Sequence, residues 1–187
     1  MTEEKTPLQQ RGEEFMMTLG MCVTEWAGID EQLFHICQRC LGCTQEQAAI
    51  VYQRTTTIGA RRQLVSDLLA TLLPKRADQG KHSQDVALWA AVNKTMIDLL
   101  PIRNRLAHQP VSKRERHAIA SIFRAGEPLW DFWFESHAHD FDGRSSEPLK
   151  LADLQDHLAA VNKLSSELYK FRHRVFPVRR HRAGTQT

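Results

Sequence analysis

The residues best suited to chemistry lie together in the segment Arg103-Asn104-Arg105-Leu106-Ala107-His108. An arginine keeps its positive charge at every relevant pH and can donate two parallel hydrogen bonds to a phosphate. A histidine can accept or release a proton near neutral pH. Together they could cleave RNA without a metal ion, because the imidazole would move the proton of the 2′-hydroxyl or leaving group while the guanidinium stabilises the charged phosphorane.

The spacing of these residues limits how they can act together on a helix. Asn104 and His108 are four residues apart, so they share one helix face. Arg103 lies about 140° around the axis from His108, at the ideal 100° per residue. Pro101 and Pro110 flank the segment and make a distorted helix end plausible. We expect either such a distortion or a ligand that lies across the helix end.

The segment Arg103-Asn104-x-x-x-His108 resembles the signature of HEPN domains (higher eukaryotes and prokaryotes nucleotide-binding). In that signature an arginine is followed directly by a polar residue, and a histidine follows after a gap of four to six residues. The resemblance implies an all-α bundle of four or five helices that is a metal-independent endoribonuclease, often a toxin or a phage-defence effector. It also implies a homodimer in which two copies of the motif form one composite cleft.

The resemblance assigns a role to each residue of the motif. Arg103 and His108 would be catalytic and Asn104 would support them. No cofactor and no metal are implied, and an antitoxin or another protein is a possible further partner. Three basic residues in and after the motif would add non-specific affinity for RNA. These RNA-binding candidates are Arg105, Lys113 and Arg114.

Two alternatives stay open at the level of the sequence. One is a catalytically inactive HEPN-like module that binds a nucleotide, RNA or a partner protein. The other gives the motif a structural role only. In that interpretation His108 is a helix-end residue favoured by the helix dipole, and Arg103 takes part in a surface ion pair.

The hydrophobic pattern predicts the helices that position the motif, because apolar residues recur at helical spacing. The first stripe predicts a helix over about 8–41, with Val23 on its inward side. Thr44 and Gln47 have the pattern of a capping box that opens a second helix. A polar loop is expected over 75–82, and Ser83 would cap the helix that carries the motif. The other helices are predicted over 44–52, 58–73 and 151–174.

The pattern changes between the last two helices. Residues 117–124 and 129–136 alternate imperfectly between apolar and polar and flank a Gly-Glu-Pro turn sequence, which predicts a β-hairpin. The fold class predicted is therefore mostly α: a HEPN-like bundle of four or five helices, with a small β-hairpin inserted before the last helix. A length of 187 residues predicts one domain, over 1–175. Residues 176–187 are predicted to be a basic, disordered tail.

Two other clusters contain residues that can bind metals. Cys37, Cys40 and Cys43 have a ligand-like spacing, but the first two coincide with the apolar stripe, so we expect packed thiols. His137 and His139 fall in a predicted solvated loop, and no residue upstream completes a known ligand spacing. The sequence therefore predicts no metal site.

Composition and missing motifs narrow the class of protein further. With 42% hydrophobic and 25% charged residues, the chain resembles an ordinary globular protein. It has no apolar run of bilayer length and no secretory signal, so we expect a cytoplasmic protein without membrane association. It also lacks a Gly-rich phosphate loop, a nucleophile elbow and a zincin motif, which removes the commonest kinase and hydrolase classes.

Overall fold

The described part of the chain is mostly helical. A computed structural model describes residues 7–75, 79–108, 111–115, 130–134 and 149–177. The α-helices are Pro7–Leu41 (α1), Gln45–Gln53 (α2), Ile58–Leu72 (α3), Gln79–His108 (α4) and Leu151–Val175 (α5), and a 3-10 turn, Leu73–Lys75, follows α3. The strands are Val111–Glu115 (β1) and Trp130–Phe134 (β2). No helix among the described residues is long and apolar enough to cross a membrane.

The helix boundaries agree with the sequence predictions to within a few residues, with one exception. α4 begins at Gln79, so the later part of the loop predicted over 75–82 is helical, and Ser83 lies inside the helix instead of capping it. The segment contains no proline, and its polar side chains are compatible with a first helical turn. The capping box of α2 is confirmed. The Gln47 backbone N–H donates to the Thr44 hydroxyl, and the Thr44 N–H donates to Gln47 Oε1 at 3.1 Å.

The two strands form an antiparallel pair between α4 and α5. Val111 lies opposite Phe134, and Glu115 lies opposite Trp130. β2 falls within the second strand predicted, over 129–136. Its partner, β1, lies before the first strand predicted, over 117–124. Those residues are outside the described residues.

The chain divides into two compact units. Unit 1 comprises residues 1–26 and 99–162, and unit 2 comprises residues 27–98 and 163–187. The boundaries fall within α1, α4 and α5, so each of these long helices contributes to both units. One domain over 1–175 stays a prediction, and of the predicted tail only Phe176 and Pro177 are among the described residues.

The inward side of α1 differs from the prediction at Val23, which is 53% exposed. Cys22 is buried in its place. Cys22 lies seven residues after Phe15 and four before Trp26, so it belongs to the same helical stripe as these two buried aromatic residues. Leu41 and Leu88, which recur at helical spacing with the apolar residues of α1 and α4, are exposed as well.

A buried polar pair joins α1 to α5 within unit 1. Trp26 Nε1 donates a hydrogen bond of 3.0 Å to His157 Nε2, and the two rings are stacked. Because Nε2 accepts, the neutral imidazole carries its proton on Nδ1, which is buried and has no partner among the described residues. His157 is only 2% exposed, and this burial lowers its pKa to about 4.

In unit 2 an ion pair joins the start of α4 to the end of α5. Asp85 is buried on α4, and Arg174 on α5 donates from Nε to its Oδ1 at 2.6 Å. Arg174 also donates to Gln84 Oε1 at 2.6 Å. Trp89 packs against Phe171 one helical turn further into the unit, with ring centroids 5.3 Å apart. Polar and aromatic contacts therefore fix the pairing of α4 with α5 in unit 2.

The buried histidine predicts a loss of stability in mild acid. Below its ordinary pKa of 6.5, the unfolded chain binds a proton that the folded chain excludes until the pH approaches about 4. The contribution of His157 to the free energy of unfolding should therefore fall by about 2 kcal/mol between pH 7 and pH 5. Urea denaturation at the two pH values measures it.

His157→Gln is the matched control, because its amide oxygen can still accept from Trp26 but does not titrate. The variant should lose this part of the pH dependence. A fall of the same size in the variant and in the wild type would show that His157 is not responsible.

Candidate functional site

The predicted catalytic residues lie in the last turns of α4, within unit 1. The backbone is α-helical from Pro101 to His108, which is the final residue of the helix. The helix thus ends before Pro110, where a proline would disfavour its continuation. Because the helix is regular between Arg103 and His108, the two residues keep their separation of about 140° around the axis. The helical distortion that would bring Arg103 and His108 onto one face is therefore not found between these two residues.

Apolar contacts fix which way this helix end faces. Ile102 and Leu106 lie four residues apart on one side of α4, and both are half-buried. They pack against a buried cluster in unit 1, formed by Phe15, Leu149 and Leu154. The packed side of the helix end is thus set by two neighbouring aliphatic residues and not by the motif itself.

The motif occupies the sides of the helix that this packing leaves open. Asn104 and His108 lie roughly 200° and 240° around the axis from Ile102, and both are exposed. Arg103 lies on one flank between the packed side and the exposed side, and it is half-buried. An imidazole and an amide therefore face outward, with a guanidinium beside them.

The guanidinium is held by the motif's own amide. Arg103 Nη1 donates a hydrogen bond of 3.3 Å to Asn104 Oδ1. In the part of the chain that the structure describes, no carboxylate pairs with Arg103. The surface ion pair of the structural interpretation is thus not found among these residues. The contact draws the guanidinium toward the face that carries His108, and the described residues leave its charge unneutralised.

The RNA-binding candidates also lie in unit 1. Arg105 is half-buried on the flank of α4 opposite Arg103. Lys113 and Arg114 lie on β1, where their register partners on β2 are Phe132 and Asp131. The helix end and the strand that follows it therefore carry all three basic residues within a short distance along the chain.

The packing expected of Cys37 is confirmed, whereas Cys40 and Cys43 are only half-buried. Cys22 and Cys37 are buried, and burial raises the pKa of each thiol to about 11. Such thiols stay protonated at neutral pH and are poor metal ligands. Across the described ranges, no group of three or more His, Cys, Asp or Glu residues is placed to hold a metal ion. His137 and His139 lie outside those ranges.

Sequence reasoning missed a polar cavity in unit 2. Its volume is about 590 Å³, and its lining includes Phe34, Tyr52, Asp30 and Arg61. Arg61 Nη1 donates to one carboxylate oxygen of Asp30 at 2.5 Å, and the Tyr52 hydroxyl donates to the other at 2.8 Å. Both oxygens are thus engaged, so this trio braces α1, α2 and α3. The sequence hints at this cavity only through Asp30, a charged residue directly after the apolar Ile29 of the predicted stripe.

Comparison of the sequence and the structure with protein-family models, with curated proteins and with solved structures gives no match.

The packing of the helix end predicts effects of different size for two neighbouring substitutions. Leu106→Ala should lower the free energy of unfolding by about 2 kcal/mol, because it removes a half-buried side chain from the cluster. His108→Ala should change it by less than about 0.5 kcal/mol, because the imidazole is exposed. Denaturant unfolding of the two variants and the wild type measures both. Equal losses in both variants would contradict the orientation of α4.

Proposed function

We propose that the chain is a metal-independent endoribonuclease of HEPN type that uses Arg103, Asn104 and His108. One observation carries the proposal: an exposed imidazole ends α4, five residues after a guanidinium that is held by an amide and has no carboxylate partner among the described residues. A structural ion pair would neutralise that charge, and a core role would bury the imidazole. The arrangement instead suits a phosphodiester lying across the helix end.

The chemistry follows from the two side chains. The His108 imidazole accepts the proton of the 2′-hydroxyl, whose oxygen attacks the adjacent phosphorus. The bond from phosphorus to the 5′-oxygen breaks, which leaves a 2′,3′-cyclic phosphate and a 5′-hydroxyl that takes up a proton. Arg103 stabilises the added negative charge of the phosphorane through its guanidinium N–H groups. Asn104 is a positioning residue, because it acts on the reaction through Arg103.

The reaction also gives a physical reason for a homodimer. A proton must be accepted at one end of the phosphodiester and donated at the other, and two imidazoles from two copies could do both. Unit 1 offers apolar surface that a second copy could cover. This surface is the exposed side of α1 formed by Met16, Met17, Met21 and Val23, of which Met17 is 63% exposed.

The proposal predicts RNA cleavage in the presence of EDTA. Purified wild-type protein should cleave a labelled single-stranded RNA and leave 2′,3′-cyclic phosphate ends. His108→Ala should lower the rate at least about 100-fold, since it removes the proton-transfer group. Arg103→Ala should cause a loss of similar size through the transition-state charge.

His35→Ala is the matched control, because it removes a half-exposed imidazole from unit 2 and should leave the rate unchanged. Cleavage that persists in His108→Ala would exclude the proposed catalyst. A wild-type protein that binds RNA without cutting it would favour the catalytically inactive module.

The dimer is tested separately. Changing Met17 and Met21 together to Glu places charges on the apolar side of α1, so the protein should sediment as a monomer and lose cleavage. Val86→Glu introduces a charge at an exposed apolar position in unit 2 and should change neither property. Sedimentation of the wild type as a monomer at the concentrations that cleave RNA would refute the composite site.

A toxin or phage-defence role would follow from unrestrained cleavage of cellular RNA. Expression of the wild type should then stop cell growth, and His108→Ala should relieve the toxicity. An antitoxin or other protein partner would act by covering the motif.

A further inference from the structure

The C-terminal end of α5, in unit 2, exposes an aromatic ring between two basic side chains. Tyr169 is 52% exposed. The His173 ring lies against it, with centroids 4.2 Å apart, and the Arg172 guanidinium carbon lies 5.5 Å from the ring centroid. Arg172 Nη2 in turn lies 3.4 Å from His173 Nε2. The three side chains therefore form one contiguous cluster on the helix surface.

Two exposed lysines extend this cluster along the helix. Lys170 and Lys163 lie about 100° and 120° around the axis from Tyr169. We use the name basic-aromatic face for the set Lys163, Tyr169, Lys170, Arg172 and His173. The face spans about 15 Å at a rise of 1.5 Å per residue.

The described residues do not neutralise the charges of this face. Among the residues that the structure describes, no carboxylate pairs with Lys163, Lys170 or Arg172. The neighbouring Arg174 differs, since it is bound to Asp85. The sequence adds more positive charge after the helix, because no acidic residue follows Glu167. The arginines in that last part of the sequence are Arg179, Arg180 and Arg182.

This combination suits one class of ligand. Single-stranded nucleic acid binds proteins through cations that follow its phosphates and through aromatic rings on which its bases stack. A guanidinium over the ring adds a cation–π contact that keeps the ring in place. An acidic peptide would use the cations but would have no need of the ring. Tyr169 also has too much exposed surface to serve mainly as a core residue.

We propose that the basic-aromatic face binds single-stranded RNA, with a base stacked on Tyr169 and phosphates on Lys163, Lys170 and Arg172. The choice of RNA rests on the proposed function. Binding at this face does not require cleavage, so the two proposals fail independently.

Fluorescence anisotropy with a labelled 12-nucleotide uridine RNA tests the proposal, with every variant made in the His108→Ala chain so that the RNA stays intact. Tyr169→Ala should weaken binding roughly tenfold. Tyr169→Phe, which keeps the ring, should bind within about twofold of the parent. Lys170→Ala should reduce the slope of log affinity against log salt by about 0.7. Lys94→Ala removes the same charge from an ion pair with Asp98 and should change neither quantity.

Three results would overturn the proposal. They are unchanged RNA affinity in Tyr169→Ala, an equal loss in Tyr169→Phe and Tyr169→Ala, and an effect of Tyr169→Ala on binding to anionic phosphatidylserine vesicles but not to RNA. A wild-type protein that fails to cut RNA, combined with the expected loss in Tyr169→Ala, would refute the nuclease and support the binding face.

Discussion

The orientation of the last turns of α4 depends on the packing of Ile102 and Leu106 against the buried cluster around Phe15. In a regular helix the angle between any two residues is fixed. Once one side is packed, this contact therefore decides the direction of every other residue of the segment. It places His108 and Asn104 in solvent and Arg103 on the boundary. Because these side chains are exposed or half-buried, we expect them to contribute little to stability, which would leave them available for the proposed chemistry.

Buried and half-buried polar contacts reinforce each unit in the same way. In unit 1 the hydrogen bond from Trp26 to His157 ties α1 to α5, and the burial that protects this bond also keeps the imidazole neutral. In unit 2, Asp30 accepts hydrogen bonds from Tyr52 and Arg61, which lie on different helices. A buried polar group is costly unless it is bonded, so each pair selects one arrangement of its helices.

The sequence predicts the helices well because apolar spacing and local capping act within a few residues of each other. It fails where the answer depends on contacts between distant segments. Val23 fits a stripe of four-residue steps, but Cys22 lies closer to the line joining Phe15 and Trp26. His157 has no local sign of burial, since its partner lies 131 positions away. The predicted start of α4 is too late, because its first residues are polar and also fit a loop.

The candidate site likewise combines features that the sequence predicts with features that it does not. The residue types, the shared face of Asn104 and His108, and the angle to Arg103 all follow from spacing. The hydrogen bond between Arg103 and Asn104, and the missing carboxylate partner among the described residues, require side-chain coordinates. The cluster of Tyr169, Arg172 and His173 has a local sequence signal: an aromatic residue is followed by basic residues three and four positions later. The sequence does not single out this cluster, because charge alone is enough to explain the neighbouring arginine-rich end of the chain.

The central claim is that the guanidinium of Arg103 and the imidazole of His108 bind one phosphodiester across the end of α4. NMR titration with an RNA oligonucleotide that carries 2′-deoxy groups tests this claim directly, because the ligand cannot be cleaved. The account predicts that the side-chain resonances of both residues shift together and saturate at the same ligand concentration. Shifts in neither residue, or in only one of them, would contradict it.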